Sequence, residues 1–371
     1  MPRGRFEESP VMTVRIPRKF TDIEPAWLTS RLREAGALRT SAVTGIAIEP
    51  IGAGAGFLGQ VARLRLTYDR PDEGVPLALV GKLPTLDPGG REVCRLFRFY
   101  EREIRFYNEV TPSISLRVPR CYTGVMDVAA DDYLILLEDL GSLAIGDDAN
   151  GCSPSEAEQA IRTLAGLHRA WWAAPHVDRF DWLPVANAPV HQTAEPAYQQ
   201  SLPHFLKAFG DHLSPRMRTV SDALRTHVVD LQNTSSKPPV TIVHGDYRLD
   251  NLFFGPNGVA VIDWQIAHRG RGVFDVAYFL SGCLEPAARR AEEMRLLRLW
   301  YELATDGGRG YTFEDALRDY RRAVLYCHVY TVIAIGSLDP ANERGLRVFQ
   351  AWLQRRSAAI EDLEAYELMP T

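Results

Sequence analysis

The sequence has no C-x-x-C pair, no block of like charge and no apolar run long enough to cross a membrane, and each absence removes a class of function. Its five cysteines (Cys94, Cys121, Cys152, Cys283 and Cys327) are odd in number and widely spaced. That pattern argues against a disulfide framework or a zinc site and fits a reducing cytoplasm. The longest apolar stretch, Ala323 to Ile335, is interrupted by His328 and reads as a buried helix, with no membrane insertion expected. The N-terminal segment carries charges but no apolar core, so no secretory signal is expected. A net charge of −5 and a pI near 6.0 leave no basic surplus for a nucleic-acid partner. Repeats and low-complexity tracts are also missing. What is present is a chain of 371 residues with 46% hydrophobic content, enough to build two lobes around a cleft.

The N-terminal third reads as a sheet with one important helix. Thr21 and Glu24 form an S/T-x-x-E box that predicts a capped helix through Trp27, Leu28 and Leu32, ended by Gly36. Strands are predicted over 61–68, where Ala62, Leu64 and Leu66 alternate with Arg63 and Arg65, over 77–83, and over the apolar run 133–137. Between them the spacing predicts a helix over 91–109, with an inward stripe of Val93, Leu96, Tyr100 and Tyr107. After Leu140 the pattern turns helical. Ser153-Pro154-Ser155-Glu156 is a second capping box, and helices are expected around 296–303, 313–332 and 346–363. Residues 232–239 read as a loop before a short strand at 240–243. The class is α+β: a strand-rich lobe over 1–138, a connector near 138–141, and a larger helical lobe over 139–371. The cleft between them is the place to expect a ligand.

The densest signal is VHGDYRLDNLFFGPNGVAVIDWQ, Val243 to Gln265. Two short strands flank Gly255-Pro256-Asn257-Gly258, which predicts a hairpin. Pairing 254 with 259 brings 251 opposite 262, so Asn251 and Asp263 meet at the open end. An amide oxygen beside a carboxylate suits Mg²⁺, which takes few protein ligands and completes its shell with phosphate and water. Asp246 lies in the loop entering the hairpin, within reach of a hydroxyl proton beside that site. Taken singly, Asp and Asn are common turn residues; the combined spacing is what gives the chemical reading weight.

Two other features gain meaning from it. Gly54-x-Gly56-x-x-Gly59 precedes a strand, so it suits a phosphate-approaching hairpin loop and not a dinucleotide fold, where a helix must follow. Lys82 shares a strand face with Ala78 and Val80, and is either an edge-strand charge or half of a pair. At about 100° per residue, Glu103 falls on the inward stripe of the 91–109 helix while Glu101 points away. Glu103 is therefore the expected partner of Lys82.

HGDYRLDN followed by IDW resembles the aminoglycoside phosphotransferase and choline kinase-like superfamily, closest to its ecdysteroid-kinase-like branch. Glu103-Ile-Arg-Phe106-Tyr107 is similar to the E-x-x-F-Y of that branch, and Leu136-Leu137-Glu138-Asp139-Leu140 to its LLEDL. The resemblance implies a two-lobed protein-kinase-like fold, ATP (or GTP) with Mg²⁺, and phosphorylation of a small-molecule hydroxyl. It implies Asp246 as catalytic base and Asn251 and Asp263 as metal ligands, with Lys82 and Glu103 as the ion pair on the α- and β-phosphates. Gly54, Gly56 and Gly59 would cover the phosphates, and backbone groups from Glu138 to Leu140 would bind the base. His244 and Asp275 would support the catalytic loop, although Asp275 also fits an ordinary helix cap.

Twelve positions separate Asp263 from Asp275 and no A-P-E follows, leaving no room for the segment that docks a protein substrate. Alternatives are an aminoglycoside antibiotic kinase and, in other classes, a nucleotide-binding scaffold without transfer or a metal-dependent hydrolase using His244 and Asp246. Aromatic residues between 151 and 226, among them Trp171, Trp172, Phe180, Trp182, Tyr198 and Phe205, lean weakly toward a less charged, lipophilic acceptor, while core burial is the better reading of the three tryptophans. Arg248, Asp250, Arg269 and Arg271 flank the motif without an assigned role, and His168 reads as a core histidine.

Overall fold

The computed structural model describes residues 16–51, 58–70, 72–305, 307–308, 310–336 and 342–370. Five antiparallel strands form the N-terminal sheet: β1 (Val43–Pro50), β2 (Gly59–Tyr68), β3 (Ala78–Pro84), β4 (Cys121–Asp127) and β5 (Asp132–Glu138), in the order β1-β2-β3-β5-β4. The run in β5 is apolar throughout because both of its faces are covered. Leu134 and Leu136 join Leu28, Leu32, Leu64 and Leu79 beneath α1 (Pro25–Glu34), whereas Tyr133, Ile135 and Leu137 face the main core. Strands β1 and β4 were not expected from the sequence. Helix α1 is not started by Thr21: Glu24 is its N-cap, without a side-chain bond, and Pro25 supplies the first turn. Gly36, at φ +65°, ends it as expected.

The helix expected over 91–109 is three pieces. α2 (Pro88–Phe97) stops at Arg98, which adopts φ 56°, and α3 (Phe99–Arg105) starts there, followed by a π-turn over Phe106–Val110. The break turns the apolar stripe. Val93 and Leu96 are left exposed, at 42% and 58%, while Glu103, Ile104 and Tyr107 are buried. Glu101, expected to point outward, is also buried and pairs with Arg98 and Arg105.

The rest is mostly helical, built on α4 (Pro154–Trp171), α5 (Pro189–Gln192), α6 (Ala194–Phe209), α7 (Pro215–Ala223), α8 (Val228–Ser235), α9 (Val273–Cys283), α10 (Pro286–Ala304), α11 (Phe313–Gly336) and α12 (Glu343–Asp362). Helix α8 takes the first half of the expected 232–239 loop. The box at Ser153 forms as read: its hydroxyl accepts from Glu156 N, and the Glu156 carboxylate receives Ser153 N.

Small sheets carry the functional loops. β7 (Thr241–Val243) pairs with β10 (His268–Gly270), and β6 (Ala144–Ile145) adds to the hairpin of β8 (Leu252–Gly255) and β9 (Gly258–Val261). The hairpin register is the expected one, Phe254 opposite Val259, and Ile262 N donates to Asn251 O. Trp171, Phe180, Trp182, Tyr198 and Phe205 are all core residues, so the aromatic content of that region says nothing about an acceptor. All five cysteines are free thiols, and no helix among the described residues is long and apolar enough to cross a membrane.

Candidate active site

Strand β7 leads into the loop His244–Asp250, whose first two backbone N–H groups are held by one carboxylate. Asp275, in the first turn of α9, accepts His244 N at 2.7 Å on Oδ2 and Gly245 N at 2.9 Å on Oδ1. His168 stands 3.2 Å from the same carboxylate, and Trp300 Nε1 donates to His168 Nδ1 at 2.9 Å. That bond assigns the His168 proton to Nε2, which donates to Asp275. Burial pushes the Asp275 carboxyl up, but His168, His244 and the Gly245 amide outweigh it and hold its pKa below the usual range. Gly245 sits at φ +87°, and a Cβ there would lie 2.8 Å from Ile266 O, so this turn requires glycine. His244 is buried with both ring nitrogens engaged, Nδ1 by Asp246 N and Nε2 by Ile262 O. It therefore braces the loop.

One cleft of about 200 Å³ brings Lys82, Glu103, Asp246 and Asp263 together with Gly59. Lys82 Nζ lies 2.7 Å from Glu103 Oε1 and 3.2 Å from Asp263 Oδ1. Burial works against the ammonium, but the carboxylates of Asp263 and Glu103 outweigh it and raise its pKa, so Lys82 is charged. Asp263 holds φ +66°, a conformation a non-glycine residue keeps only where its surroundings enforce it. Asn251 is buried, and its Nδ2 donates to Asp246 O and Oδ2. Pinning the amide nitrogen leaves the oxygen uncommitted, and an amide oxygen together with the Asp263 carboxylate would suit Mg²⁺, which takes few protein ligands. Among the described residues no group of three or more His, Cys, Asp or Glu could hold a metal, and the ring nitrogens of His244 that a hydrolase would need are both engaged within the loop.

The remaining expected residues are less central. Glu138 ends β5, where its carboxylate takes Arg117 and Arg120 N, and Leu140 is buried just beyond. Gly54 and Gly56 lie outside the described residues; Gly59 opens β2. Arg269 and Arg271 are turned to Asp178 and Asp319, away from the cleft lining.

Several contributors had no role assigned from the sequence. Trp264 is fully buried and stacks on Phe106, centroids 3.8 Å apart and planes within 7°, so the E-x-x-F-Y and IDW segments meet face to face. Tyr100 lines the cleft, donating to Leu58 O and accepting Thr85 N. Asp148, with no exposed surface, holds Arg248 and Leu249 N. Arg248 itself contacts Asp246 Oδ2 at 2.9 Å. Burial raises the Asp246 carboxyl, yet the charge and hydrogen bond of Arg248, with help from His244 and Tyr278, bring its pKa below the ordinary value.

The chain has similarities among known proteins. A 68-residue segment is 34% identical to human acyl-CoA dehydrogenase family member 11, covering 18% of this chain and 8% of that protein. A 67-residue segment is 40% identical to mouse acyl-CoA dehydrogenase family member 10, covering 17% and 6%. These matches span less than a tenth of the curated relatives' length. Among solved structures, choline kinase from Cryptosporidium parvum superposes with a TM-score of 0.52 at 11% identity, over 86% of this chain and 91% of the other. The GDP complex of aminoglycoside 2′-phosphotransferase-IIIa gives 0.54 at 13%, over 85% and 94%. Both share the two-lobed, protein-kinase-like fold. The ecdysteroid kinase-like family matches residues 53–306, more than two thirds of the 371 residues. The chain belongs to the ecdysteroid kinase-like family.

Proposed function

We propose that this protein is an ATP-dependent kinase that transfers the γ-phosphoryl group to a hydroxyl of a small organic molecule. The observation that carries this reading is the convergence of Lys82, Glu103, Asp246 and Asp263 on one cleft between the sheet and the helical lobe. Lys82, oriented by Glu103, would hold the α- and β-phosphates. Asp246, kept ionised by Arg248, would accept the hydroxyl proton as the acceptor oxygen reaches phosphorus. Asn251 and Asp263 would hold Mg²⁺, which when bound supplies neutralisation of phosphate charge. Most of the acceleration would come from positioning and fixed charge. ATP is the donor proposed and GTP the alternative, since backbone groups beside Glu138 to Leu140 would read the base.

The acceptor side favours a compound that is not a polycation. Asp148, Asp246 and Asp250 are all paired with Arg248, and Asp250 also with Arg344, so no free acidic surface is offered there. The test is ADP release from Mg·ATP over a panel of small alcohols, steroids and aminoglycosides, with Asp246→Ala as control. Turnover with a neutral or apolar alcohol that disappears in the variant is expected; nucleotide binding without transfer to any hydroxyl contradicts it.

A further inference from the structure

Arg248 is the second cation lining the cleft, after Lys82, and the two are committed differently. Both short contacts of Lys82 go to carboxylates, Glu103 and Asp263. The Arg248 guanidinium is held at Nε and at Nη1, on opposite flanks, with Nη2 between them. Nε is 2.9 Å from Asp246 Oδ2, and Nη1 is 2.6 Å from Asp148 Oδ2 and 3.0 Å from Asp250 Oδ2. Nη2 has no hydrogen-bond partner among the described residues and is not sealed from solvent. The guanidinium also lies 5.6 Å from the Trp352 ring centre, which limits rotation of its plane. Carboxylates on both flanks and the nearby Trp352 ring hold the group in place, and its unpartnered Nη2 is a directed donor in a cleft that Arg248 lines.

Resting on the kinase reading above, we infer that Arg248 is a catalytic residue, its unpartnered Nη2 donating to an oxygen of the phosphoryl group in transit. The acceptor O–P bond forms while the bond from the γ-phosphorus to the β,γ-bridging oxygen breaks. The hydroxyl proton passes to Asp246 and ADP leaves; Arg248 transfers no proton. Asp148 is the positioning residue that keeps Arg248 in place. A planar fork fits this task, and lysine would not replace it.

Two variants test the assignment: Arg248→Lys, which keeps a cation for Asp148, and the double variant Asp148→Asn/Arg248→Gln, which leaves no buried carboxylate without a partner. Full-length protein is assayed for ADP release from Mg·ATP across pH, with the best acceptor of the panel and with water alone. Losing Arg248 should move the acid limb of the profile upward, because Asp246 is then less well held as a carboxylate. The inference expects more: the high-pH plateau itself falls by about 10²-fold in the double variant, with either acceptor, while ADP binding is kept. A plateau that recovers to the wild-type rate in both variants assigns Arg248 to positioning Asp246 alone and overturns the inference. Loss only with the organic acceptor also overturns it, pointing to acceptor binding. Wild-type protein that releases no ADP under any of these conditions overturns the kinase reading itself.

Discussion

At the scale of single residues, the buried carboxylate of Asp275 shows how much one side chain can organise. Asparagine keeps its shape but turns one acceptor into a donor facing the N–H groups of His244, Gly245 and His168. Asp275→Asn should therefore lose about 3 kcal/mol of stability at pH 7, measured by urea unfolding. The sign with pH follows from its lowered pKa: the stabilisation is complete above the ordinary carboxylate pKa of about 3.9 and disappears as pH falls through the folded value. The gap between wild type and variant should narrow in acid; a constant gap down to acid unfolding contradicts this. Lys82→Ala should lower kcat/KM for ATP by at least about 10²-fold with little change in the KM of the acceptor, an effect on phosphate positioning. A change confined to acceptor KM would break that assignment. The pairing of Lys82 with Glu103 was legible from helical spacing, even though half the stripe used to infer it is exposed. The reason is that α3 alone sets the direction of Glu103, and the break at Arg98 lies before it. Asp148 was not legible, because its partner Arg248 is a hundred positions away and nothing local marks either residue as buried.

At the scale of elements, the hairpin of β8 and β9 was readable in full because a four-residue Gly-Pro-Asn-Gly segment fixes its register locally. The end of α2 was not. No glycine or proline marks position 98, where an arginine takes a left-handed conformation, so the break is imposed by packing of the two halves. Strand β1 and strand β4 escaped for the same reason: their pairing, with β2 and β5, supplies what local alternation does not. The contact between Phe106 and Trp264 joins the segment after α3 to the segment after β9. Phe106→Ala should cost about 3–5 kcal/mol in unfolding free energy and lower turnover beyond what ATP affinity explains, as Glu103 and Asp263 lose their common support. Wild-type turnover in a destabilised Phe106→Ala protein would show that the stack is structural only.

At the scale of the whole molecule, two cores meet at the cleft: one beneath α1 on the outer face of the sheet, one filling the helical lobe and reaching under β5. Each lobe presents charged groups to the other, Lys82 and Glu103 from the sheet side, Asp246 and Asp263 from the helical side. Neither set makes a site alone, so phosphoryl transfer would depend on their joint action on Mg·ATP. Asp263 is the residue that touches both, through Lys82 and through the hairpin end shared with Asn251. The most direct measurement is ADP release from Mg·ATP in the presence of a small hydroxyl acceptor, compared between wild type and Asp263→Ala, with thermal melting to show that both are folded. Turnover in the wild type that is abolished in a folded Asp263→Ala protein is the predicted result; equal turnover in the two would contradict it.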